Sequence, residues 1–380
     1  MNSPRIGGRL RGTTRIGESL FGRAGAVALV ATLVAWSAGS GCASGEATGS
    51  GSGWGEDRID ALRVAMPELL RAHSVPGAAV VLIDGAEIEW ATGFGVTAPG
   101  GEPVAPTTVF QAASLGKPVF AQLVHGIARE RAWTLDDSIA AWAPPGSHPP
   151  DLGSATAAEL LGHTAGLVYD ADTDRVTFDP QLRGRWRYSG AGYVLLQRAV
   201  EASERRGLNA LARERLVDPL GLETMGFLAP EGATVAVGHD RDGRPLSGAG
   251  WTDPNAASSL HTSALDYARF LIHASGLGGD APGPWERLTA ARVVVREEIG
   301  LRWGLGWALE RPDVSSRTAA FHWGSNPGFK SFALVDRERG IGLVILTNGD
   351  NGLELVEDAV GIVDAEPHPV FEFYMLHPDD

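Results

Sequence analysis

Hydrophobic residues mark out the first elements that follow an N-terminal leader. Over residues 56–73 they recur every three to four positions, which predicts an amphipathic helix. A Val-Pro-Gly break at 75–77 is followed by a continuous apolar run over 78–83, which is typical of a buried strand. The Asp-Gly pair at 84–85 indicates a turn, and residues 87–93 indicate a returning strand. After its leader, the chain is therefore predicted to begin with a helix and a β-hairpin.

The remaining elements fall into two groups. Helical periodicity predicts helices in the middle of the chain, over residues 114–131, 157–161, 191–203 and 263–274. Strand-like runs come later, over residues 304–310, 319–323, 330–336 and 341–348, and residues 351–364 predict a closing helix. Strands at both ends of the chain with helices between them predict an α+β fold. We expect an antiparallel sheet built from both termini and flanked by helices, with an inserted, mainly helical lobe.

The leader, residues 1–41, differs in composition from the rest of the chain. Five arginines precede a short apolar run over residues 24–38, and small residues follow that run. This order is typical of a secretory signal peptide, and the apolar run is too short for a comfortable membrane span. The leader therefore predicts export to the periplasm or the cell surface.

Cys42 is the only cysteine in the chain, and it follows the leader directly. A lone cysteine at this point resembles the lipidated cysteine of a bacterial lipoprotein, although Gly39 stands where a large aliphatic residue is usual. The alternative is ordinary cleavage nearby, with Cys42 incidental. Residues 42–55 are rich in Gly and Ser and predict a flexible tether. Residues 56–363 would then form the main domain and residues 364–380 a C-terminal extension, whose packing the sequence leaves open.

The overall charge excludes one class of function. The formal net charge is −14, and the acidic residues are spread along the chain rather than gathered in one block. A nucleic-acid-binding protein would present a basic face, so nucleic acid is not an expected partner. The 44% of hydrophobic residues is ordinary for a globular protein with a substantial core.

The chain contains only two lysines, Lys117 and Lys330, against 32 lysines and arginines together. Lys117 lies three residues after Ser114, so on a helix the two side chains share a face. A neutral lysine can accept the proton of a serine hydroxyl, whereas arginine effectively never deprotonates. The pair therefore suggests a nucleophile and its base. The alternative is a helix-capping serine followed by a surface lysine.

Two further segments carry residues suited to such chemistry. The first contains Tyr188 and Tyr193, because a tyrosine close to a lysine can shuttle a proton to a leaving group. The alternative for Tyr188 is a half-buried core aromatic. The second segment spans residues 322–332 and is predicted to join two strands through a tight Gly/Pro turn. A sheet edge beside a nucleophile can offer a backbone N–H to a developing oxyanion.

Together these segments resemble the serine β-lactamase and penicillin-binding-protein family, in particular the class C β-lactamase-related serine hydrolases. Ser-Leu-Gly-Lys at 114–117, Tyr-Ser-Gly at 188–190 and His-Trp-Gly at 322–324 stand in the order of the three family motifs. Leu-Leu-Gly-His-Thr-Ala-Gly-Leu at 160–167 is similar to a further family signature. The resemblance covers most of residues 56–363 and implies a β-lactamase/transpeptidase-like fold.

The resemblance also implies a role for each matching residue. Ser114 would be the acylated nucleophile, Lys117 its general base and Tyr188 the proton shuttle. The backbone N–H groups of Ser114 and Ser325 would form the oxyanion hole, and His163 would hold a loop near the site. Water completes hydrolysis in this family, so no metal or other cofactor is expected.

The substrate-binding positions implied by the family are His322, Trp323, Gly324 and Gly190. Two of them depart from the pattern. Gly190 replaces an asparagine that contacts the lysine and the amide of peptide-like substrates. His322 replaces a lysine, so a fixed charge for a substrate carboxylate is lost. Lys330 or a nearby arginine could compensate, but for Lys330 a solvated charge beside the turn is the favoured interpretation.

These departures rank three hypotheses for the function. The first is an exported serine hydrolase with esterase-like or β-lactamase-related activity on an ester, a β-lactam or a peptidoglycan-type substrate. The second is a β-lactamase or D-Ala-D-Ala carboxypeptidase proper. The third is a non-catalytic protein of the same fold that binds peptidoglycan or another ligand.

Overall fold

The computed structural model describes residues 53–376, except 143, 145–152, 171–174, 248–249, 281–282 and 312–317. The signal peptide, Cys42 and most of the tether expected from the sequence lie outside these residues. The segment expected to be a tether nevertheless ends in packed structure. Trp54 is buried and its indole N–H donates to the carbonyl oxygen of Ile83 at 2.9 Å. The packed domain therefore begins slightly before residue 56.

The architecture centres on one antiparallel sheet of eight strands in the order β2-β1-β12-β11-β10-β9-β8-β7. These strands are β1 (Gly77–Asp84), β2 (Glu87–Gly95), β7 (Val293–Arg296), β8 (Leu301–Trp303), β9 (Ala308–Glu310), β10 (Ala319–Asn326), β11 (Phe329–Asp336) and β12 (Ile341–Thr347). Strand β12, from the end of the chain, lies between β1 and β11. The prediction of a sheet built from both termini is confirmed.

Helices cover the sheet and form the inserted lobe. They are α1 (Glu56–Ala72), α2 (Gly116–Glu130), α3 (Ile139–Trp142), α4 (Ala157–Leu161), α5 (Gly190–Glu204), α6 (Leu208–Ala212), α7 (Asp218–Leu220), α8 (Ala264–Ser275), α9 (Gly283–Thr289) and α10 (Gly352–Val363). One π-helical segment, Arg213–Val217, and two 3₁₀ turns, Glu297–Ile299 and Pro369–Glu372, complete the helical structure of the described residues. None of the helices in these residues is long and apolar enough to span a bilayer.

Both faces of the large sheet are buried, which explains the continuous apolar run that the sequence shows in β1. Its residues alternate between two core clusters, with Ala79, Val81 and Ile83 in one and Val80 and Leu82 in the other. The first cluster includes α2 and α8, and the second includes α1 and α10. A strand that is buried on both faces needs no polar alternation.

The secondary structure differs from the prediction in several parts, and short strands such as β7 and β8 were not predicted. The strand expected over residues 304–310 is wrong in its first half, because residues 304–307 form a turn between β8 and β9. Gly306 there has φ of +85°, a left-handed conformation that glycine readily adopts. A second hairpin, β4 (Ala165–Asp170) with β5 (Arg175–Arg183), was not predicted. Its second strand contains Pro180 and many polar residues, which weakens any strand signal.

The C-terminal extension packs against the domain as far as it is described. Val370, Phe371, Phe373 and Leu376 are buried in the second core cluster. The ring of Phe373 lies 6.0 Å from that of Trp186 and 5.9 Å from that of Trp323, measured between centroids. The extension is therefore part of the folded core rather than a loose end.

An ion-pair network fixes the start of this extension. His368 contacts Glu310 at 2.7 Å and Asp364 at 3.2 Å, and Arg339 donates to both oxygens of Asp364 at 2.8 Å. Burial alone would lower the pKa of His368, but the two carboxylates outweigh it and raise that pKa to about 9. His368 is therefore charged at neutral pH.

This network predicts a pH-dependent contribution to stability. Because the folded pKa of His368 is raised, its stabilisation is complete below the unfolded pKa of about 6.5 and is lost as the pH rises through about 9. We expect His368→Gln to lower the Tm by about 5 °C at pH 6, with a gap that narrows by pH 9.5. Thermal unfolding followed by circular dichroism measures the gap, with the exposed His273→Gln as control. A gap that stays constant from pH 6 to 9.5 would contradict the assignment.

Candidate active site

Ser114 lies in the turn between β3 (Phe110–Ala113) and α2. Strand β3 pairs with β6 (Leu260–Thr262), and the carbonyl oxygen of Ala112 accepts a hydrogen bond from Ser331 Oγ in β11 at 2.9 Å. The chain reverses at Ala113, whose φ is +50°. This left-handed conformation costs a residue with a Cβ about 1–2 kcal/mol, so the surrounding packing must hold it. Ser114 therefore occupies a constrained position rather than an ordinary helix cap.

Strand β10 passes very close to the residues that precede Ser114. A Cβ on Gly324 would lie 2.2 Å from Ser331 Oγ and 2.4 Å from the carbonyl oxygen of Ala112. Only glycine permits this approach. The next residue, Ser325, is exposed on the same strand. The placement suits the predicted oxyanion donor, although this role of the Ser325 N–H stays a prediction.

The structure brings the two residues of the first motif together. Lys117 Nζ lies 2.8 Å from Ser114 Oγ, and only 1% of Lys117 is exposed. Its ammonium group faces the ring of Tyr188 at 4.8 Å and that of Tyr193 at 5.5 Å from the centroids. Burial lowers the pKa of Lys117 from 10.5 to about 7. At pH 7, Lys117 is then neutral in about half of the molecules. Its burial also shows that the sequence alternative of a surface lysine is wrong.

A backbone carbonyl that the sequence analysis missed joins this pair. The carbonyl oxygen of Ala257 accepts from Lys117 Nζ at 2.6 Å and from Ser114 Oγ at 3.2 Å. The Ala257 peptide is itself held, since its N–H donates to Asn255 Oδ1 at 2.8 Å and the N–H of Ala256 donates to Gln197 Oε1 at 2.9 Å. A contact made by the backbone leaves no side-chain signature, so motif spacing could not reveal it.

Tyr188 stands on the other side of Lys117. Its hydroxyl is buried and has no hydrogen-bond partner of normal geometry among the described residues. Burial raises the pKa of Tyr188 above its usual value, and the nearby Ser114 hydroxyl offsets this rise only in part. Tyr188 rests as a neutral phenol, ready to donate a proton.

His163 holds the backbone on both sides of Tyr188. Its carbonyl oxygen accepts from the N–H of Arg187 at 2.8 Å, and its Nδ1 accepts from the N–H of Ser189 at 3.1 Å. The His163 ring also lies 4.4 Å from the Tyr188 ring. Burial lowers the pKa of His163 well below its usual value, and Lys117 and His322 lower it further, so the imidazole is neutral. This agrees with the structural role that the resemblance implies for His163.

His322 and Trp323 were expected to bind substrate, but both side chains are buried, with 0% and 3% exposed. His322 Nδ1 donates to the carbonyl oxygen of Trp323 at 2.7 Å, and the Trp323 ring stacks on Tyr188 at 5.8 Å. Burial lowers the pKa of His322 to about 3, with a smaller effect from Lys117. A neutral, buried His322 supplies no charge to a substrate. These two side chains pack against residues of the site instead of lining it, which corrects the expectation that they contact the substrate directly.

Lys330 is also placed differently from the sequence interpretation. It is 7% exposed rather than solvated, and its Nζ pairs with Asp350 at 2.6 Å. A lysine that is already neutralised by a carboxylate is poorly suited to bind a second one. Lys330 therefore does not replace the charge that the family motif loses at His322.

Two cavities border residues of this site, one beside Tyr188 and Ala257 and the other beside Ser325. The larger, about 1070 Å³, is lined by Tyr188, Gly190 and Ala257 among others. The smaller, about 550 Å³, is lined by Ser325 and by four acidic residues, Asp240, Asp242, Asp350 and Glu354. Of the expected substrate-binding positions, Gly190 lines the larger cavity. Gly324 instead makes the close contact between β10 and the residues that precede Ser114. Among the described residues no group of three or more His, Cys, Asp or Glu side chains is placed to hold a metal.

The chain is similar to known proteins over most of its length. A family model described as Beta-lactamase matches residues 62–365. Penicillin-binding protein 4 of Amycolatopsis lactamdurans is 30% identical over 376 residues, covering 83% of this chain and 94% of that protein. Esterase EstB of Burkholderia gladioli is 25% identical over 366 residues, covering 77% of this chain and 90% of that protein.

The fold has a counterpart among solved structures. The Beta-Lactamase/D-Alanine Carboxypeptidase from Pseudomonas syringae superimposes with a TM-score of 0.69 at 18% identity, covering 82% of this chain and all of that one. At this identity the likeness concerns the fold alone. The family match, by contrast, extends over the whole segment that carries the reactive serine and lysine. The chain therefore belongs to the Beta-lactamase family and is a serine hydrolase of that fold.

Proposed function

We propose that the protein hydrolyses esters through an acyl-enzyme on Ser114, with Lys117 as general base and Tyr188 as proton donor. The observation that carries this proposal is the buried Lys117 Nζ, 2.8 Å from Ser114 Oγ, with its pKa lowered to about 7. A general base works best when its pKa lies near the working pH. The half-neutral amine and the adjacent hydroxyl therefore support nucleophilic catalysis at this serine.

The proposed reaction has two balanced halves. Neutral Lys117 takes the proton of Ser114 Oγ while that oxygen bonds to the acyl carbon, and the carbonyl oxygen becomes negative beside the N–H groups of Ser114 and Ser325. As the alkoxide leaves, the Tyr188 hydroxyl gives it a proton, and protonated Lys117 restores the proton of Tyr188. Water then attacks the acyl-enzyme, with the same groups taking and returning its proton, and releases the acid and free Ser114.

Ester substrates are favoured by the two departures from the family pattern. Gly190 leaves no side-chain amide to contact an amide substrate, and neutral, buried His322 offers no charge to a substrate carboxylate. An ester needs neither contact for cleavage. The relative Esterase EstB supports this reading. The relative named Penicillin-binding protein 4 keeps a second candidate open, a β-lactamase or D-Ala-D-Ala carboxypeptidase.

Covalent labelling tests the nucleophile. We expect a fluorophosphonate probe to add one adduct to the intact protein, seen as a mass increase, because Ser114 is activated by Lys117. Ser114→Ala should abolish the adduct, while Ser189→Ala, a change at a nearby serine that caps α5, should retain it. A folded protein that forms no adduct with either this probe or a penicillin would instead be the non-catalytic binding protein of the third hypothesis.

Substrate choice is tested separately from the nucleophile. Hydrolysis of short p-nitrophenyl esters without hydrolysis of a chromogenic cephalosporin selects the esterase. The opposite result, or release of D-Ala from a D-Ala-D-Ala peptide, selects the second candidate. Both reactions use the same Ser114, so Ser114→Ala is the control in each assay.

We further propose that residues 1–41 direct export and that Cys42 carries a lipid anchor, on the basis of the leader pattern. Metabolic labelling with palmitate, followed by detergent phase separation, tests the anchor in the full-length chain. Cys42→Ala should remove the label and shift the protein to the aqueous phase. Equal labelling of both forms would leave Cys42 as an incidental residue.

A further inference from the structure

The larger cavity beside the reactive pair has an unusual distribution of charge for this protein. Two arginines, Arg187 and Arg198, lie in its wall, and none of its described lining residues is acidic. The chain as a whole has 46 acidic residues and a net charge of −14. A cavity whose charged described residues are all cationic is suited, in an acidic protein, to attract an anion.

Neither guanidinium is used by the fold. Among the described residues, neither side chain has a hydrogen bond or an ion pair, and both are exposed. Arg183, by comparison, makes two hydrogen bonds to Glu159 and one to Ser154 Oγ. An unpaired guanidinium keeps all five of its N–H donors free for a ligand.

Arg187 and Arg198 lie on either side of Tyr188 in the sequence. Arg187 immediately precedes Tyr188, and its N–H is held by the carbonyl oxygen of His163 at 2.8 Å. Arg198 lies in α5, the helix that begins at Gly190. The same cavity is bordered by Ala257, whose carbonyl oxygen accepts from both Ser114 and Lys117. An anion held here therefore lies beside a residue that contacts both Ser114 and Lys117.

Apolar residues form most of the rest of the wall, beside the polar residues Tyr188, Ser189, Asn255 and Ser258. Leu167, Val194, Leu195 and Trp251 line the cavity, and Trp251 is 38% exposed. Gly190 contributes no side chain, and a Cβ there would already lie 3.3 Å from Ala257 Cβ. A volume of about 1070 Å³ therefore stays open next to the reactive pair. Such a wall favours a hydrocarbon body, with the charge at its end.

The charged residues in the wall of the second cavity are mainly acidic. Its wall contains four acidic residues, Asp240, Asp242, Asp350 and Glu354, and both of its cations are paired, Lys330 with Asp350 and Arg241 with Glu354. An anionic group would be repelled on that side of Ser325. The two sides of the site thus differ in sign.

We propose that the cavity lined by Arg187 and Arg198 binds the carboxylate end of an ester substrate with an apolar body. This inference rests on the proposed ester hydrolysis at Ser114 and names its substrate class. The carboxylate accepts charge-assisted hydrogen bonds from the two guanidinium groups. The carboxylate can belong to the acyl chain or to the alcohol.

Matched pairs of esters test the proposal. p-Nitrophenyl hexanoate and the p-nitrophenyl monoester of adipic acid differ in a carboxylate on the acyl chain. Phenyl acetate and 3-carboxyphenyl acetate differ in a carboxylate on the alcohol. We expect kcat/KM to favour the anionic member of one pair by about tenfold, chiefly through KM. The pair that shows the preference identifies the portion of the substrate that enters the cavity.

Substitutions then assign the preference to the two arginines. Arg187→Gln and Arg198→Gln should each reduce the ratio of anionic to neutral kcat/KM by about fivefold, and Arg→Lys at either position should restore part of it. The ratio cancels any general loss of active enzyme. Arg185→Gln is the matched control, since Arg185 is exposed and two residues away but does not line the cavity. The same loss in all three Gln variants, or no preference in the wild type, would overturn the proposal.

A binding measurement separates this proposal from the chemistry. Calorimetric titration of Ser114→Ala with 4-phenylbutyrate, and with neutral 4-phenylbutanol, requires no turnover. If the protein prefers the carboxylate, and Arg187→Gln and Arg198→Gln lose this preference, the subsite is supported even if no ester is hydrolysed. Hydrolysis of neutral esters with no preference in either assay leaves the proposed function intact and ends this inference.

Discussion

Lys117→Arg is expected to lower kcat/KM for p-nitrophenyl esters by about three orders of magnitude, while the protein stays folded. Arginine keeps the positive charge and the approximate length, but it cannot become neutral and accept the proton of Ser114. Initial rates of p-nitrophenol release measure the effect. Circular dichroism checks that the variant is folded. Lys117→Met, an uncharged variant of similar volume, is measured beside it for comparison.

The other lysine provides the matched control. Lys330→Arg keeps a cation beside Asp350, and we expect activity close to that of the wild type. The pH profile provides a second check. Since the pKa of Lys117 is about 7 and only the neutral amine accepts a proton, kcat/KM should rise with pH and level off above about 7. Near-normal turnover in Lys117→Arg would show that Lys117 is not the base.

Tyr188→Phe is the second large effect that we expect, a fall in kcat of about two orders of magnitude. The burial that raises the pKa of this phenol keeps its proton in place, so the variant loses the group that protonates the leaving alkoxide. Stability should hardly change, because the hydroxyl has no hydrogen-bond partner among the described residues. Stopped-flow or steady-state hydrolysis of an ester with a poor leaving group gives the clearest reading.

Tyr193→Phe should instead lower the stability and keep most of the activity. The Tyr193 hydroxyl donates to the carbonyl oxygen of Leu161 at 2.9 Å, and its ring lies against the same lysine. Its loss should cost about 1 kcal/mol of unfolding free energy. Equal losses of activity in Tyr188→Phe and Tyr193→Phe would indicate that both tyrosines act only through packing.

The sequence predicted the frame of this site well because its signals are local. The i,i+3 spacing of Ser114 and Lys117 and the alternation of strands and turns at the C-terminal end depend on near neighbours, while the rarity of lysine follows from composition alone. Strand β1 was predicted from its own apolar run, and the family motifs supplied the order of the remaining parts.

What the sequence could not predict depends on residues that are distant along the chain. The Ala257 carbonyl reaches Lys117 from 140 residues away, and no side chain identifies it. The burial of His322 depends on rings from several segments, including Trp303 at 5.6 Å. The ion pair of Lys330 with Asp350 likewise reversed an interpretation that treated this lysine as solvated.

The place of β12 between β1 and β11 has a consequence for how the chain acquires its structure. Val80 in the first strand pairs with Ile345, so the sheet cannot close until β12 has left the ribosome. Until then β1 has only β2 as a neighbour in the large sheet. Contacts of such long sequence separation make folding slow. Nascent chains of this protein should consequently remain open to chaperones until β12 has emerged, and hydrolase activity should appear only after that point.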